Sequence, residues 1–329
     1  MKKIVAIVLA LSLVFALGSV SLAADDNYPS KPITLVCPFS AGGSIDTLCR
    51  TLAPFLADAL GTSVAVEDMP GAGSMIGLNY MVTVADKEGY TISEISEPHM
   101  SFTIGTQDAT YTADSFCYLG MIQVDPCLLM VLNESKFETL QDMITYIEEH
   151  PGEVAIGCTQ ASGPQVVMYA MQKQLGLDFT IVTYSGGGEG RAALVGNHID
   201  AYFAFAQASY SFIDVCRGLA IGADERSPLW PDCPTFEEAL EDGSELNSIA
   251  KSMAAYRSIA LPAEFAEKYP ERYKLLCETL DSIFHSEEYQ EACKTSGQLE
   301  IMEWHDPAET LDMLHASFDL MTNYFDYFK

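Results

Sequence analysis

The stretch Ile33-Thr-Leu-Val-Cys-Pro-Phe-Ser-Ala-Gly-Gly-Ser-Ile-Asp46 sets the architecture. Its β-branched start predicts a strand over 33–36, and Pro38 to Gly43 predict a turn. The spacing of Leu48, Leu52, Phe55, Leu56 and Leu60 predicts a helix over 46–60, which Gly61 ends. Strand, glycine turn and helix in that order form the half-unit of an α/β fold. The same turn gathers free backbone N–H groups at the positive end of a helix dipole. That makes an anion site that needs no basic side chain.

A local site matters because the chain as a whole repels anions. Its 329 residues carry 46 Asp and Glu against 17 Lys and Arg, a formal net charge of −29. Nucleic acid and anionic lipid surfaces are therefore excluded as partners, and an anionic ligand must be caught by backbone and by a few chosen side chains. With 49% hydrophobic and 19% charged residues the chain is globular and long enough for two domains. Lys2 and Lys3, the apolar run over 4–17 and Ser21-Leu-Ala23 read as a signal peptide over 1–23. No later apolar run is long enough to span a bilayer. The expected product is exported, periplasmic or extracytoplasmic, soluble after cleavage, and more acidic still. Nine cysteines, odd in number, irregularly spaced and without a C-x-x-C, point mainly to buried thiols, with one or two disulfides left open.

Strands and helices alternate along the chain. Strands are expected over 63–67 and 89–93 with a helix over 75–84; 97–118 reads as irregular, and 118–123 and 128–132 as short strands. Helices over 139–150, 163–175, 190–195 and 209–216 then alternate with strands over 153–157, 179–183, 199–205 and 219–223. Three prolines over 228–234 suggest a linker, followed by a strand over 253–259 and three helical stretches in 262–325. The division this suggests is a first domain of 24–126 and 236–329 with 127–235 inserted. Two crossings make a hinge, and the cleft between the domains is the expected ligand site.

Four glycine-rich turns each follow a strand. The second, Pro70-Gly-Ala-Gly-Ser-Met-Ile-Gly77, spaces its glycines differently from a dinucleotide fingerprint and reads as a packing turn. The third, Gly157-Cys-Thr-Gln-Ala-Ser-Gly-Pro164, adds the side-chain donors Thr159, Gln160 and Ser162 at a helix start. In the fourth, Tyr184-Ser-Gly-Gly-Gly-Glu-Gly-Arg191, three glycines allow close backbone approach and Tyr184 offers a hydroxyl or a wall. Arg191 opposes the helix dipole there, which calls for a carboxylate partner, either a ligand or Glu189. No G-x-S-x-G, H-E-x-x-H or phosphate-loop lysine occurs, and the six histidines lack metal-ligand spacing. Neither cofactor nor metal is expected.

Taken in order, Tyr28-Pro-Ser-Lys-Pro-Ile-Thr-Leu-Val36 leading into Pro38–Asp46, Val66-Glu-Asp-Met-Pro-Gly-Ala-Gly73, Gly89-Tyr-Thr-Ile92, Tyr184-Ser-Gly-Gly-Gly188, Ala193-Leu-Val-Gly196 and Asp232-Cys-Pro-Thr-Phe-Glu237 resemble the tripartite tricarboxylate transporter substrate-binding proteins, the TctC or Bug family of periplasmic receptors. The resemblance covers essentially the whole mature chain. It implies an α/β, two-domain periplasmic-binding-protein (Venus flytrap) fold with the ligand cleft between the domains. It also implies a monomeric, non-enzymatic receptor without cofactor that hands a small carboxylate to a two-subunit membrane permease. By matching motif, the ligand-binding residues would be Phe39, Ser40, Ala41, Gly42, Gly43, Ser44 and Asp46, faced by Thr159, Gln160, Ser162 and Gly163 and by Tyr184, Gly186, Gly187, Gly188 and Arg191. Departures from the family lie at Ser162-Gly-Pro-Gln165, which lacks a usual His, at Ser185, where a basic residue is common, and at Glu189 and Arg191. They leave the ligand open among di- or tricarboxylates, aromatic carboxylates and amino acids. Two alternatives stand beside transport: a sensory adaptor binding the same ligand, and an exported enzyme using Ser44, Ser162 or His99.

Overall fold

The computed structural model describes residues 27–184 and 186–328; the signal-peptide expectation lies outside them. The chain opens with β1 (Ile33–Cys37), α1 (Ser44–Leu60), β2 (Val64–Asp68), α2 (Met75–Thr83), β3 (Thr91–Glu97), α3 (His99–Thr106) and β4 (Phe116–Asp125). β5 (Cys127–Leu132), α4 (Leu140–Glu149), β6 (Ala155–Thr159), α5 (Gly163–Leu175), β7 (Thr180–Tyr184), α6 (Gly187–Val195), β8 (Ala201–Phe205) and β9 (Cys216–Ile221) follow. α7 (Phe236–Ala239), α8 (Ser244–Ser252), β10 (Ala255–Pro262), α9 (Glu264–Lys268), α10 (Pro270–Phe284), α11 (Glu287–Thr295), β11 (Met302–His305) and α12 (Pro307–Thr322) complete it.

These strands form two sheets, of order β11-β4-β10-β3-β1-β2 and β7-β6-β8-β5-β9. β1 lies parallel to β2 and β3, and β6 parallel to β7 and β8, as right-handed strand–helix–strand units require. β10 and β5 run antiparallel to their neighbours. The chain leaves the first sheet between Asp125 and Cys127 and re-enters it after Met253. α7 and α8 precede that return and pack on the second sheet, with Phe236, Leu246, Ile249 and Ala250 in one cluster with Val131, Ile156, Val167 and Phe203. The first sheet's core joins Ile33, Leu35, Ile92 and Ile259 to Leu48, Leu52 and Leu56 of α1 and to Leu276 and Leu280 of α10. The apolar stripe read from the sequence is thus the buried face of α1. All nine cysteines are free, and all but Cys117 and Cys277 are buried.

Three local expectations are corrected. The region read as irregular contains α3, which has little amphipathic signal of its own and gains its helix by packing on α12 and on the 72–74 turn. The helix expected over 209–216 is a 3₁₀ turn, Gln207–Phe212, and Cys216 already belongs to β9, where it pairs with Leu132. The helical reading of 262–325 missed β11, four residues that pair on the edge of β4.

α12 closes the back of the molecule. Leu314 enters the core with Ile95 and Tyr118 of the first sheet, whereas Met321 and the following Tyr324 join the second sheet's cluster. Tyr169 of α5 stacks on Tyr327 at 4.8 Å, and Phe328 meets Phe102 of α3 at 5.1 Å. Inside this seam Glu97 is fully buried and accepts from Ser317 Oγ at 2.7 Å and from the Ser101 N–H at 3.1 Å. Burial outweighs these bonds and pushes its carboxyl up to about 7 from 4.5. Between those values the native state holds a proton that the unfolded chain has lost. Stability from this group is therefore full below the window and falls as pH rises through it. Glu97→Gln, which is neutral at every pH, should gain on the wild type from pH 5 to pH 8 by on the order of 2–3 kcal/mol in urea unfolding. A pH-independent difference would refute this account.

Candidate functional site

A cavity of about 790 Å³ opens between the two sheets at the carboxyl ends of β1 and β6. Phe39, Ser40, Gly42, Gly43 and Ser44 form one wall, and Thr159, Gln160, Ser162 and the 186–188 glycines with Arg191 form the other. The first turn is shaped by Gly42, whose φ of +80° is the left-handed conformation that glycine alone adopts without strain. Ala161, at φ +59°, bends the facing loop with an alanine in the same region.

Four of the expected residues stand back from the cavity. Asp46 is buried, accepts the Gly42 N–H at 2.7 Å and pairs with Arg50 Nε at 2.6 Å, so it braces the first turn. Gly163 sits against the hinge, where a Cβ would collide with the Met253 carbonyl. Tyr184 packs edge-on against Tyr202, and Ala41 is exposed beside the opening. Other lining residues escaped the sequence reading: the 70–74 turn, Phe102, Gln107, Tyr202, Phe203 and Phe205. A clue existed for the turn, since it follows a strand as the other three do. For Phe102 there was none, because α3 itself was not legible. Close packing of the same turn is also present: a Cβ on Gly77 would lie 2.9 Å from Pro38.

The helices bordering the cavity have open N-termini. α1, α2, α5 and α6 begin after Gly43, Ser74, Ser162 and Gly186, none of which makes a side-chain cap. The side-chain caps, at Thr139, Thr235, Ser286 and Asp306, all serve helices elsewhere. Ser162, a residue type suited to capping, instead donates its hydroxyl to the Thr159 carbonyl at 2.6 Å. Backbone donors and positive dipole ends therefore converge on one space.

Among the described residues no Asp, Glu or Lys lines this space, and Arg191 is its one formal charge. The guanidinium lies over the Phe212 ring at 5.5 Å, its Nε is buried without a hydrogen bond, and no carboxylate pairs with it among the described residues. Burial lowers its pKa, a cost that a bound anion would offset. The expected alternative partner, Glu189, does not line the cavity. His99 does, with its ring edge-on to Phe39 at 5.2 Å and Nδ1 buried without a partner. Burial first, and the Arg257 charge second, lower its pKa to about 4, so it is neutral at physiological pH. Ser44 Oγ faces Arg257 at 3.3 Å, so neither Ser44 nor Ser162 is hydrogen-bonded to His99. A second hollow of about 690 Å³ borders β9, but its cations are occupied. Arg226 pairs with Glu238, and Arg217 donates to the carbonyls of Asn133, Ser135 and Phe137.

Residues 48–258 match the tripartite tricarboxylate transporter family receptor, TctC. The chain is 29% identical over 231 residues to the UPF0065 protein in the gbd 5' region of Cupriavidus necator, covering 68% of this chain and 69% of that one. It is also 29% identical over 227 residues to protein BugT of Bordetella pertussis, covering 67% and 69%. Among solved structures, a TctC solute-binding protein from Polaromonas superposes with a TM-score of 0.72 at 20% identity, over 90% of this chain and 99% of that one. An R. palustris protein solved with adipate gives 0.76 at 21% over 90% and 96%. MatC from Rhodopseudomonas palustris with bound malate gives 0.70 at 21% over 89% and 99%. The structural likenesses agree with the two-sheet fold, and the sequence match extends through both sheets from α1 to β10. This chain is a member of the tripartite tricarboxylate transporter receptor family.

Proposed function

We propose that this chain is an exported receptor that closes on a small carboxylate lacking an amine and delivers it to the membrane permease of a tripartite tricarboxylate-type transporter. One observation carries the reading: among the described residues the cavity is lined by one arginine without a carboxylate partner and by four helix N-termini without side-chain caps, and by no acid. An ammonium group would find no carboxylate there, which favours a plain carboxylate over an amino acid. The adipate and malate bound by structural relatives agree with that preference. The two sheets serve as cores of two domains, the inserted one reaching to about residue 252 because α7 and α8 pack on its sheet. Phe39, Ser40, Gly42, Gly43 and Ser44 act as one half of the clamp; Thr159, Gln160, Ser162, the 186–188 glycines and Arg191 act as the other. Asp46, Gly163 and Tyr184 support these loops. Among the described residues no helix is long and apolar enough to cross a membrane.

Binding to the native state alone raises stability by RT ln(1 + [L]/Kd), about 2.7 kcal/mol at a hundredfold excess over Kd. Adipate, L-malate or a related di- or tricarboxylate should therefore raise the melting temperature by several degrees, and aspartate or glutamate by less. A broad carboxylate screen without any shift, on protein shown by mass spectrometry to be ligand-free, would sink the proposal.

Arg191 supplies a second check whose signs oppose each other. Arg191→Met should weaken carboxylate binding at least tenfold, as loss of a charge-assisted hydrogen bond of about 1.5–3 kcal/mol requires. The ligand-free protein should melt no lower than the wild type, because a half-buried cation without a carboxylate partner has been removed. Titration calorimetry and thermal unfolding of one preparation read both, and unchanged affinity would exclude Arg191 from the site.

A further inference from the structure

Beneath the first-sheet wall of the cleft lies a buried cation. Arg257 of β10 is almost wholly enclosed, and its guanidinium donates to Gln123 Oε1 at 2.7 Å, Ser44 Oγ at 3.3 Å and Asp125 Oδ2 at 3.4 Å. The placement of these partners gives the contacts their meaning. Gln123 and Asp125 end β4 at the first crossing, and Arg257 lies just past the second. Ser44 opens α1 and lines the cavity. Asp125 also accepts the Gln207 N–H, at 2.8 Å, from the segment after β8 in the second sheet. One side chain thus joins both crossings, the open end of α1 and, through a shared carboxylate, the facing half of the molecule.

Its charge is incompletely cancelled. The groups around it are Gln123 and Asp125 from β4, Glu94 and Ser96 from β3, Ser44 from α1 and His99 from α3. The Asp125 contact is long, and burial pushes that carboxyl up against the opposing pull of Arg257 and of backbone N–H groups. Glu94 is fully buried, neither oxygen is hydrogen-bonded, and burial pushes it up as well. Arg257 Nε finds no acceptor. After burial, the Arg257 charge is what opposes protonation of His99 on the cavity wall.

We propose that Arg257 is the positioning residue of the cleft, fixing Ser44 and the N-terminus of α1 against both crossings and supplying positive potential from below, opposite Arg191. The proposal rests on the receptor reading of the cleft, but its test needs no ligand. Three variants separate its two parts. Ser44→Ala removes the bond and keeps the charge. Arg257→Lys keeps the charge and loses the fork of donors. Arg257→Met combined with Asp125→Asn removes both charges without leaving a lone buried carboxylate.

Hydrogen exchange of ligand-free protein over 39–49 reads the position of the α1 terminus. NMR of the His99 ring from about pH 3.5 to 7.5 reads the field. Exchange should rise about tenfold in Ser44→Ala and in the double variant, and Arg257→Lys should not restore it. His99 should titrate at about 4 in the wild type, Ser44→Ala and Arg257→Lys, and at a higher pH in the double variant, since Arg257, and not Asp125, is the charge that acts on its ring, while burial remains. Wild-type exchange in Ser44→Ala overturns the positioning role, whether or not the double variant folds. An unshifted His99 in a folded double variant overturns the electrostatic role. Failure of every carboxylate to bind would strike the receptor reading and leave these readouts intact.

Discussion

The first residue of α5 presses so close to the Met253 carbonyl that a side chain at Gly163 would collide with it, and the molecule is organised around that contact. Met253 stands at the return crossing, and its carbonyl also accepts Cys127 Sγ, 3.1 Å away in the outward crossing. Both crossings and one helix terminus therefore meet at a single point. The crossings thus run side by side. The cleft opens beside them, and the loop preceding α5 is held at its edge. Packing at the crossings and the placement of donors in the site are consequences of the same close approach.

Electrostatics then works against the bulk composition. A chain of net charge −29 keeps every acid out of the cavity lining and places there one arginine without a carboxylate partner. Helix termini left without side-chain caps do the same in partial charges. Two features of the cleft are locally unfavourable: a half-buried cation and a left-handed alanine at 161. Capping serine and threonine side chains are used at Thr139, Thr235 and Ser286, away from the cleft, so the fold has the means to satisfy helix ends. α8, α9 and α10 also begin without side-chain caps, so it is the convergence of four such ends on one space that distinguishes the cleft.

Much of the fold was legible because the hydrophobic period changes from two to 3.6 across each glycine turn, as at Cys37–Ser44. α3 and β11 were not. α3 lacks an apolar stripe and forms against distant partners, and four residues are too few to display a period. In the site, the loops were legible as backbone donors, but the direction of each side chain was not. Asp46 turns back to the Gly42 N–H, Ser162 to the Thr159 carbonyl, and Tyr184 toward Tyr202. The question of Arg191 and Glu189 could have been narrowed earlier, since residues two apart on a helix do not face each other. The aromatic lining from Phe102, Tyr202 and Phe205 is assembled only by tertiary folding and had no local signature.

The chain's last described residues add something the two crossings lack. Tyr327 stacks on Tyr169 and its carbonyl accepts the Tyr169 hydroxyl at 3.2 Å, while α12 remains fixed to the first sheet through Ser317 and Leu314. Mechanically this is a stay fastened between the two sheets. A change in the angle between the sheets would slide or stretch that aromatic stack. The tyrosine pair thus ties α5 to the end of the chain, so the two sheets are joined at a place remote in sequence from both crossings.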